Sequence, residues 1–155
     1  MRWTAPGVGA IALALLLCSC AAPRDDPEAY LGDSLSTVET VASYVATAQL
    51  TASAVRDGRV FVPSANVVLS ETMQSLSDTV STYGLVEPPD ERSPMRAQVL
   101  DVSRRAEDSV FSTLTAVRRG DTAALDASID RLTAVDADLS SLATRLEDPS
   151  GRSGG

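Results

Sequence analysis

The sequence predicts an all-α protein, an antiparallel up-down bundle of four helices that follows a leader removed by cleavage. Three observations favour this fold. Apolar residues recur every three or four positions along four separate segments, which gives each segment one apolar helical face. Prolines, aspartates and glycines stand at the ends of these segments, where helices begin and stop. The turns between the segments are short, so we expect consecutive helices to run antiparallel.

The first predicted helix spans residues 27–57. Asp26 precedes Pro27 as an N-cap, and Gly58 follows the helix as a C-terminal stop. The apolar stripe is interrupted at Gln49. The residues that we expect to face the core are Leu31, Leu35, Val38, Ala42, Val45, Ala52 and Val55.

The second predicted helix spans residues 63–84, from Pro63 to Gly84. Val60, Phe61 and Val62 before it have the composition of a strand, but no other segment offers a strand partner. The expected core face of the helix consists of Ala65, Leu69, Met73, Leu76, Val80 and Tyr83. A proline-containing loop of about ten residues follows, longer than the other turns.

The third and fourth predicted helices span residues 93–119 and 121–147. Ser93 is expected to cap the third helix, Gly120 to stop it, and Asp121 to cap the fourth. The expected core faces are Met95, Val99, Val102, Ala106, Val110, Leu114 and Val117, then Leu125, Ile129, Leu132, Val135, Leu139, Leu142 and Leu146. The bundle therefore covers residues 27–148, and residues 149–155 are predicted to form a flexible tail.

Two helix endings are alike in sequence. Residues 54–58 read Ala-Val-Arg-Asp-Gly, and residues 116–120 read Ala-Val-Arg-Arg-Gly. A duplicated helical hairpin would explain the similarity, and so would two uses of a common helix ending.

The leader has the parts of a secretory signal. Arg2 precedes an apolar run over residues 8–17, which is shorter than the roughly 20 residues that span a bilayer. The run ends in Leu17, Cys18, Ser19 and Cys20, which resembles the lipobox of bacterial lipoproteins. Cys18 departs from that pattern, because a small residue is more usual there. The resemblance covers the first 20 residues only, and the helical part is not assigned to any family.

This resemblance implies a cleaved lipoprotein signal peptide over residues 1–19 and a diacylglyceryl thioether on Cys20. Residues 20–26 would then be the lipidated cysteine and a short tether. Such a protein is anchored to the cell membrane on its extracytoplasmic face, in either the inner or the outer membrane. Cleavage after Ala22 by an ordinary signal peptidase is the alternative, and it would release the domain from the membrane.

Composition excludes several classes of function. The chain has 13 basic residues, all of them arginine, and 21 acidic residues, so its net charge is −8 and nucleic acid is not an expected partner. Histidine is absent, and the two cysteines, Cys18 and Cys20, both lie in the leader. We therefore expect no metal site, no cofactor and no enzymatic activity.

Two groups of charged residues are candidates for a role. Arg104, Arg105, Arg118 and Arg119 on the third helix are a candidate patch for an acidic partner or a phosphate-bearing envelope polymer. Alternatively, these arginines form salt bridges with aspartates of the fourth helix. On that helix, Asp136 is either a buried carboxylate with a raised pKa or an edge residue beside a buried Val135.

The function predicted from these observations is that of a non-catalytic interaction or accessory module of the cell envelope. Its partners would be the membrane, through the lipid anchor, and a protein or another envelope component. The alternative is a binding module that holds a small apolar ligand or a lipid between the helices.

Overall fold

Four α-helices account for most of residues 26–148, the part of the chain that this computed structural model describes. They are α1 (Pro27–Arg56), α2 (Val62–Gly84), α3 (Ser93–Arg119) and α4 (Thr122–Glu147), and a 3-10 turn (Asp90–Arg92) precedes α3. The predicted all-α class is confirmed, since these residues form no strand. The predicted signal peptide, Cys20, nearly all of the tether and the predicted tail lie outside the described residues.

The helix ends lie within one residue of the predicted ranges. The first and last helices begin after aspartates whose side chains act as caps. Asp26 accepts a hydrogen bond from the Glu28 N–H at 2.9 Å, and Asp121 accepts one from the Ala124 N–H at 2.9 Å. Because Asp121 has extended backbone angles as the N-cap, α4 begins at Thr122 and not at residue 121.

The similar endings of α1 and α3 have the same backbone hydrogen bonds. At the end of α1, the N–H of Arg59 bonds to the carbonyl of Ala54 and the N–H of Gly58 to that of Val55. At the end of α3, residues 121 and 120 bond in the same way to residues 116 and 117. Both glycines have positive φ angles, 69° and 64°. This is the Schellman motif, so the two segments end their helices in the same way.

The other two helix starts have no side-chain cap. Ser93 was expected to cap α3, but it is the first helical residue, because the preceding 3-10 turn leads straight into the helix and Arg92 becomes the N-cap. The N-cap of α2 is Phe61, whose side chain cannot accept a hydrogen bond. Helix α2 therefore begins one residue earlier than predicted, at Val62.

The core faces of α2, α3 and α4 agree with the spacing of the apolar residues. All the apolar residues predicted for the cores of α3 and α4 are buried, and in α2 only Met73 is partly exposed. No helix within residues 26–148 has the combination of length and apolar character needed to cross a bilayer.

The core face of α1 agrees with the prediction at three of seven positions, Val38, Val45 and Ala52. Its buried residues are Tyr30, Ser34, Val38, Val41, Val45, Ala48 and Ala52, whereas Leu31, Leu35, Ala42 and Val55 lie at the edge of the core. Helix α1 contacts each of the other three helices. The small side chains at positions 34, 48 and 52 leave room for these neighbours, and the larger leucines occupy the flanks.

Candidate functional site

Arg105, in the middle of α3, forms ion pairs with two aspartates. Its Nη1 contacts Asp138 of α4, and its Nε lies 3.3 Å from the Asp101 carboxylate one turn earlier in α3. The hydrogen bond to Asp138 raises the pKa of the Arg105 guanidinium above its ordinary value. For Arg105, the interpretation as a salt bridge to the fourth helix is therefore confirmed. Exposed pairs of this kind contribute little to stability.

The other three arginines of the predicted patch are exposed. Arg118 donates a hydrogen bond from Nη2 to Ser70 Oγ of α2 at 3.1 Å. Within residues 26–148, neither Arg104 nor Arg119 forms an ion pair. Fourteen residues separate Arg104 from Arg118, which is about 21 Å along a helix. The structure therefore divides the four arginines into two pairs, and only Arg118 and Arg119 lie at the end of α3.

An exposed apolar surface lies at the start of α2. Phe61 is 85% exposed and Val67 is 57% exposed, and smaller but substantial parts of three further valines are accessible. We call this surface the apolar tip and define it as Val60, Phe61, Val62, Val67 and Val68. Val60, Phe61 and Val62 follow the turn that ends α1, and Val67 and Val68 lie further along α2.

Two arginines next to the apolar tip share one carboxylate. The Nε of Arg56 lies 3.2 Å from Asp57 Oδ1, and the Nη2 of Arg59 lies 2.8 Å from Asp57 Oδ2. The hydrogen bond from Arg59, followed by that from Arg56, lowers the pKa of Asp57 below its ordinary value. The Asp57 carboxylate is thus ionised and outnumbered by its cationic neighbours.

A buried chain of hydroxyl groups joins α1 to α2. Ser34 Oγ donates to the Tyr30 carbonyl at 2.9 Å, so its one proton is used and it accepts from the Tyr83 hydroxyl, also at 2.9 Å. The Tyr83 proton is then used as well, and Tyr83 accepts from the Tyr30 hydroxyl at 3.0 Å. Burial raises the pKa of Tyr83 well above its ordinary value. The three groups satisfy one another in the core.

A surface groove of about 430 Å³ lies over this cluster, between α1 and α2. The hydroxyls of Thr37, Thr40 and Thr79 each donate to the carbonyl four residues earlier, at 2.8 to 2.9 Å. Their single protons are therefore used, and these hydroxyls can only accept hydrogen bonds from a molecule in the groove. The lining residues are Asp33, Ser36, Thr37, Thr40, Asp78, Thr79, Thr82, Tyr83 and Val86.

The acidic residues of α4 do not form a buried site. Val135 is buried in the core and Asp136 is only partly buried beside it, so the interpretation of Asp136 as an edge residue is confirmed. Among the described residues, no group of three or more aspartates, glutamates, cysteines or histidines is arranged to hold a metal ion.

Sequence reasoning missed the apolar tip and the hydroxyl chain. A signal for the tip was present, because Val60, Phe61 and Val62 stand between a helix stop and a helix start and have no strand partner. No such local signal exists for the hydroxyl chain, since Tyr30 and Tyr83 are 53 residues apart in sequence. Comparison with protein-family models, with characterised proteins and with solved structures yields no match to this chain.

Proposed function

We propose that this chain is a lipid-anchored, non-catalytic interaction module of the cell envelope, held on the extracytoplasmic face of the membrane through Cys20. The apolar tip is the observation that supports an interaction function. A phenylalanine that is 85% exposed among four accessible valines is costly in water unless a partner covers it. Aromatic residues and arginine are also enriched in protein–protein interfaces, and Arg118 and Arg119 are the part of the predicted patch nearest this tip.

The proposed arrangement of the helices is the antiparallel up-down bundle. Two contacts support it. Tyr30 near the start of α1 meets Tyr83 near the end of α2, and Arg118 near the end of α3 meets Ser70 in the first half of α2. In this arrangement the turns that end α1 and α3 lie together, at the opposite end of the bundle from Pro27.

This arrangement gives the tether and the apolar tip separate roles. Residues 21–26 would reach at most about 20 Å from the lipidated Cys20. Helix α1 has 30 residues and so extends for about 45 Å. The apolar tip would then face away from the anchored end and be accessible to a partner in the envelope.

The alternative, a small apolar ligand held between the helices, has weaker support. Val99, Val110 and Leu132 in the centre of the bundle are fully buried by their neighbours. The groove between α1 and α2 lies at the surface, and most of its lining residues are aspartate, serine and threonine. Such a lining suits a polar ligand better than an apolar one.

The anchor is tested by mass spectrometry of the protein extracted in mild detergent from its own membranes. We expect a chain that begins at Cys20 and carries a diacylglyceryl group. The Cys20→Ala variant is the control and should lack the lipid. An unlipidated chain that begins at Pro23, after ordinary cleavage, would refute the anchor.

The interaction is tested in the same extracts by native mass spectrometry of two variants. Phe61→Ser removes the central side chain of the apolar tip, and Leu85→Ser removes an equally exposed side chain, 87% accessible, at the other end of α2. We expect a second polypeptide to remain bound to the wild-type protein and to Leu85→Ser, but not to Phe61→Ser. If no polypeptide accompanies the wild-type protein, the proposed interaction function is wrong.

A further inference from the structure

We infer that the apolar tip, together with Arg118 and Arg119, binds a protein segment whose apolar side chains are flanked by carboxylates. This inference rests on the proposed interaction function and adds the chemistry of the partner. It depends on three features of this end of the molecule, namely the position of Arg118, the local charge and the start of α2.

Arg118 lies directly against the helix that carries three of the four valines of the tip. Its guanidinium bonds to Ser70 Oγ, and Ser70 follows Val67 by three residues, so the two share one side of α2. A cation therefore borders the exposed apolar surface. A partner that covers Val67 with an apolar side chain would bring its neighbouring residues within reach of Arg118.

The two turns at this end carry a charge opposite in sign to that of the whole chain. Residues 56–60 and 118–121, the turns that end α1 and α3, contain four arginines and two aspartates, whereas the chain as a whole has a net charge of −8. A partner rich in carboxylates would be attracted to these turns and repelled by the rest of the surface. Such a distribution orients the partner as well as attracting it.

The start of α2 also favours a partner that carries carboxylates. Its N-cap, Phe61, provides no side-chain hydrogen bond, and the first turn contains no acidic residue. The free N–H groups of a helix start and the positive end of its dipole favour a nearby carboxylate. An acidic residue of the partner that approaches Phe61 would therefore find N–H donors that no side chain within residues 26–148 caps.

Two other occupants fit less well. A second copy of this chain bound tip to tip would bring two positively charged ends together. An anionic membrane would attract the tip but repel the remaining surface, because the net charge of the chain is −8. A protein segment can place its carboxylates at the arginines and be uncharged elsewhere. It therefore matches the charge pattern without the repulsion that an anionic membrane would meet.

The experiment is photo-crosslinking of the full chain in its own membranes. The photoreactive residue p-benzoylphenylalanine replaces Phe61 in one variant and Leu85 in the matched control, since both side chains are almost fully exposed at opposite ends of α2. We expect a polypeptide adduct from position 61 and none from position 85. The crosslinked peptide of the partner, sequenced by mass spectrometry, should contain aspartate or glutamate beside apolar residues.

Charge reversal then tests the role of the arginines. Combined Arg118→Glu and Arg119→Glu changes should lower the adduct yield from position 61 about fivefold or more, because they replace attraction by repulsion. Arg104→Glu is the control, since Arg104 is also exposed but lies about 21 Å from Arg118 along α3. Circular dichroism should show that all three charge changes leave the helices intact.

The outcomes separate this inference from the proposed function. A polypeptide adduct that forms from position 85 alone, that contains no carboxylates or that is insensitive to the reversal would overturn the partner chemistry but leave the interaction function standing. An adduct with lipid alone would overturn the inferred protein partner in favour of a membrane surface. If neither position yields a polypeptide adduct and native mass spectrometry detects no bound polypeptide, both the inferred partner chemistry and the proposed interaction function are wrong.

Discussion

Tyr83 occupies the middle of the buried hydroxyl chain, and the Tyr83→Phe variant tests whether that chain has the direction deduced from its geometry. In the deduced direction Tyr30 donates to Tyr83, Tyr83 donates to Ser34, and Ser34 donates to a backbone carbonyl. Tyr83→Phe removes two of these bonds and leaves the fully buried Tyr30 hydroxyl without an acceptor. Tyr30→Phe removes one bond and leaves no donor unsatisfied.

The two variants should therefore differ in stability although each loses one oxygen atom. The net contribution of one hydrogen bond is about 1 kcal/mol, and a buried polar group without a partner costs about 1 to 3 kcal/mol. We expect Tyr30→Phe to lower the free energy of unfolding by about 1 kcal/mol and Tyr83→Phe to lower it by about 3 kcal/mol. The double variant contains no unsatisfied tyrosine hydroxyl, so it should be more stable than Tyr83→Phe alone.

The assay is urea unfolding of the full chain followed by circular dichroism at 222 nm, a standard wavelength for helix content, in the wild-type protein and all three variants. The order of stability is the discriminating result, since it does not depend on the absolute values. If Tyr30→Phe costs as much as Tyr83→Phe, or if the losses of the two single variants add in the double variant, the deduced direction of the chain is wrong.

Three further predictions use the same measurement. Gly32 and Gly120 both have open space where a Cβ would lie, but only Gly120 has a positive φ angle, 64°. Gly32→Ala should therefore stabilise the protein by about 1 kcal/mol, and Gly120→Ala should destabilise it by about 1 kcal/mol; changes of the same sign would contradict this. Ser103 is fully buried and its hydroxyl has no hydrogen-bond partner in the described part of the chain, whereas the Ser109 hydroxyl donates to the Arg105 carbonyl. Ser103→Ala should stabilise the protein by about 1 kcal/mol and Ser109→Ala should change it by less, and a loss of stability in Ser103→Ala would reveal a missed partner. Folding raises the pKa of Tyr83, so the contribution of this residue to the free energy of unfolding is fully present below about pH 10. At higher pH that contribution falls by about 1.4 kcal/mol per pH unit. The slope should be smaller in Tyr83→Phe, and an unchanged slope would assign the alkaline loss to other groups.

The sequence alone was sufficient for the helices and for three of their four buried faces. In α3, large apolar residues such as Val99, Val110 and Leu114 alternate with charged residues, so only one face can be buried. The same contrast between large apolar and polar residues holds in α4. Proline, aspartate and glycine marked the ends of the helices because each favours a backbone geometry or a cap that is found only there.

The contrast between large apolar and polar residues is weaker in α1, and there four of the seven predicted core residues lie at the edge of the core. Alanine, serine and threonine occupy much of α1, so the two leucines at positions 31 and 35 dominated the expected stripe. The buried positions one residue earlier are Tyr30 and Ser34. They are buried because Tyr83 of α2 supplies hydrogen bonds that the segment itself cannot indicate.

The same distinction applies to the candidate site, since the sequence determined some of its properties and the tertiary structure determined the others. The sequence by itself determined which segments are helical, where they stop and that four arginines lie on α3, because these properties depend on neighbours within a few residues. Only the tertiary structure decided that Arg105 pairs with Asp138, that Arg118 reaches Ser70 and that Phe61 remains uncovered. These are properties of residues far apart in the chain, and their energies depend on which helices become neighbours and on which side chains those neighbours bury.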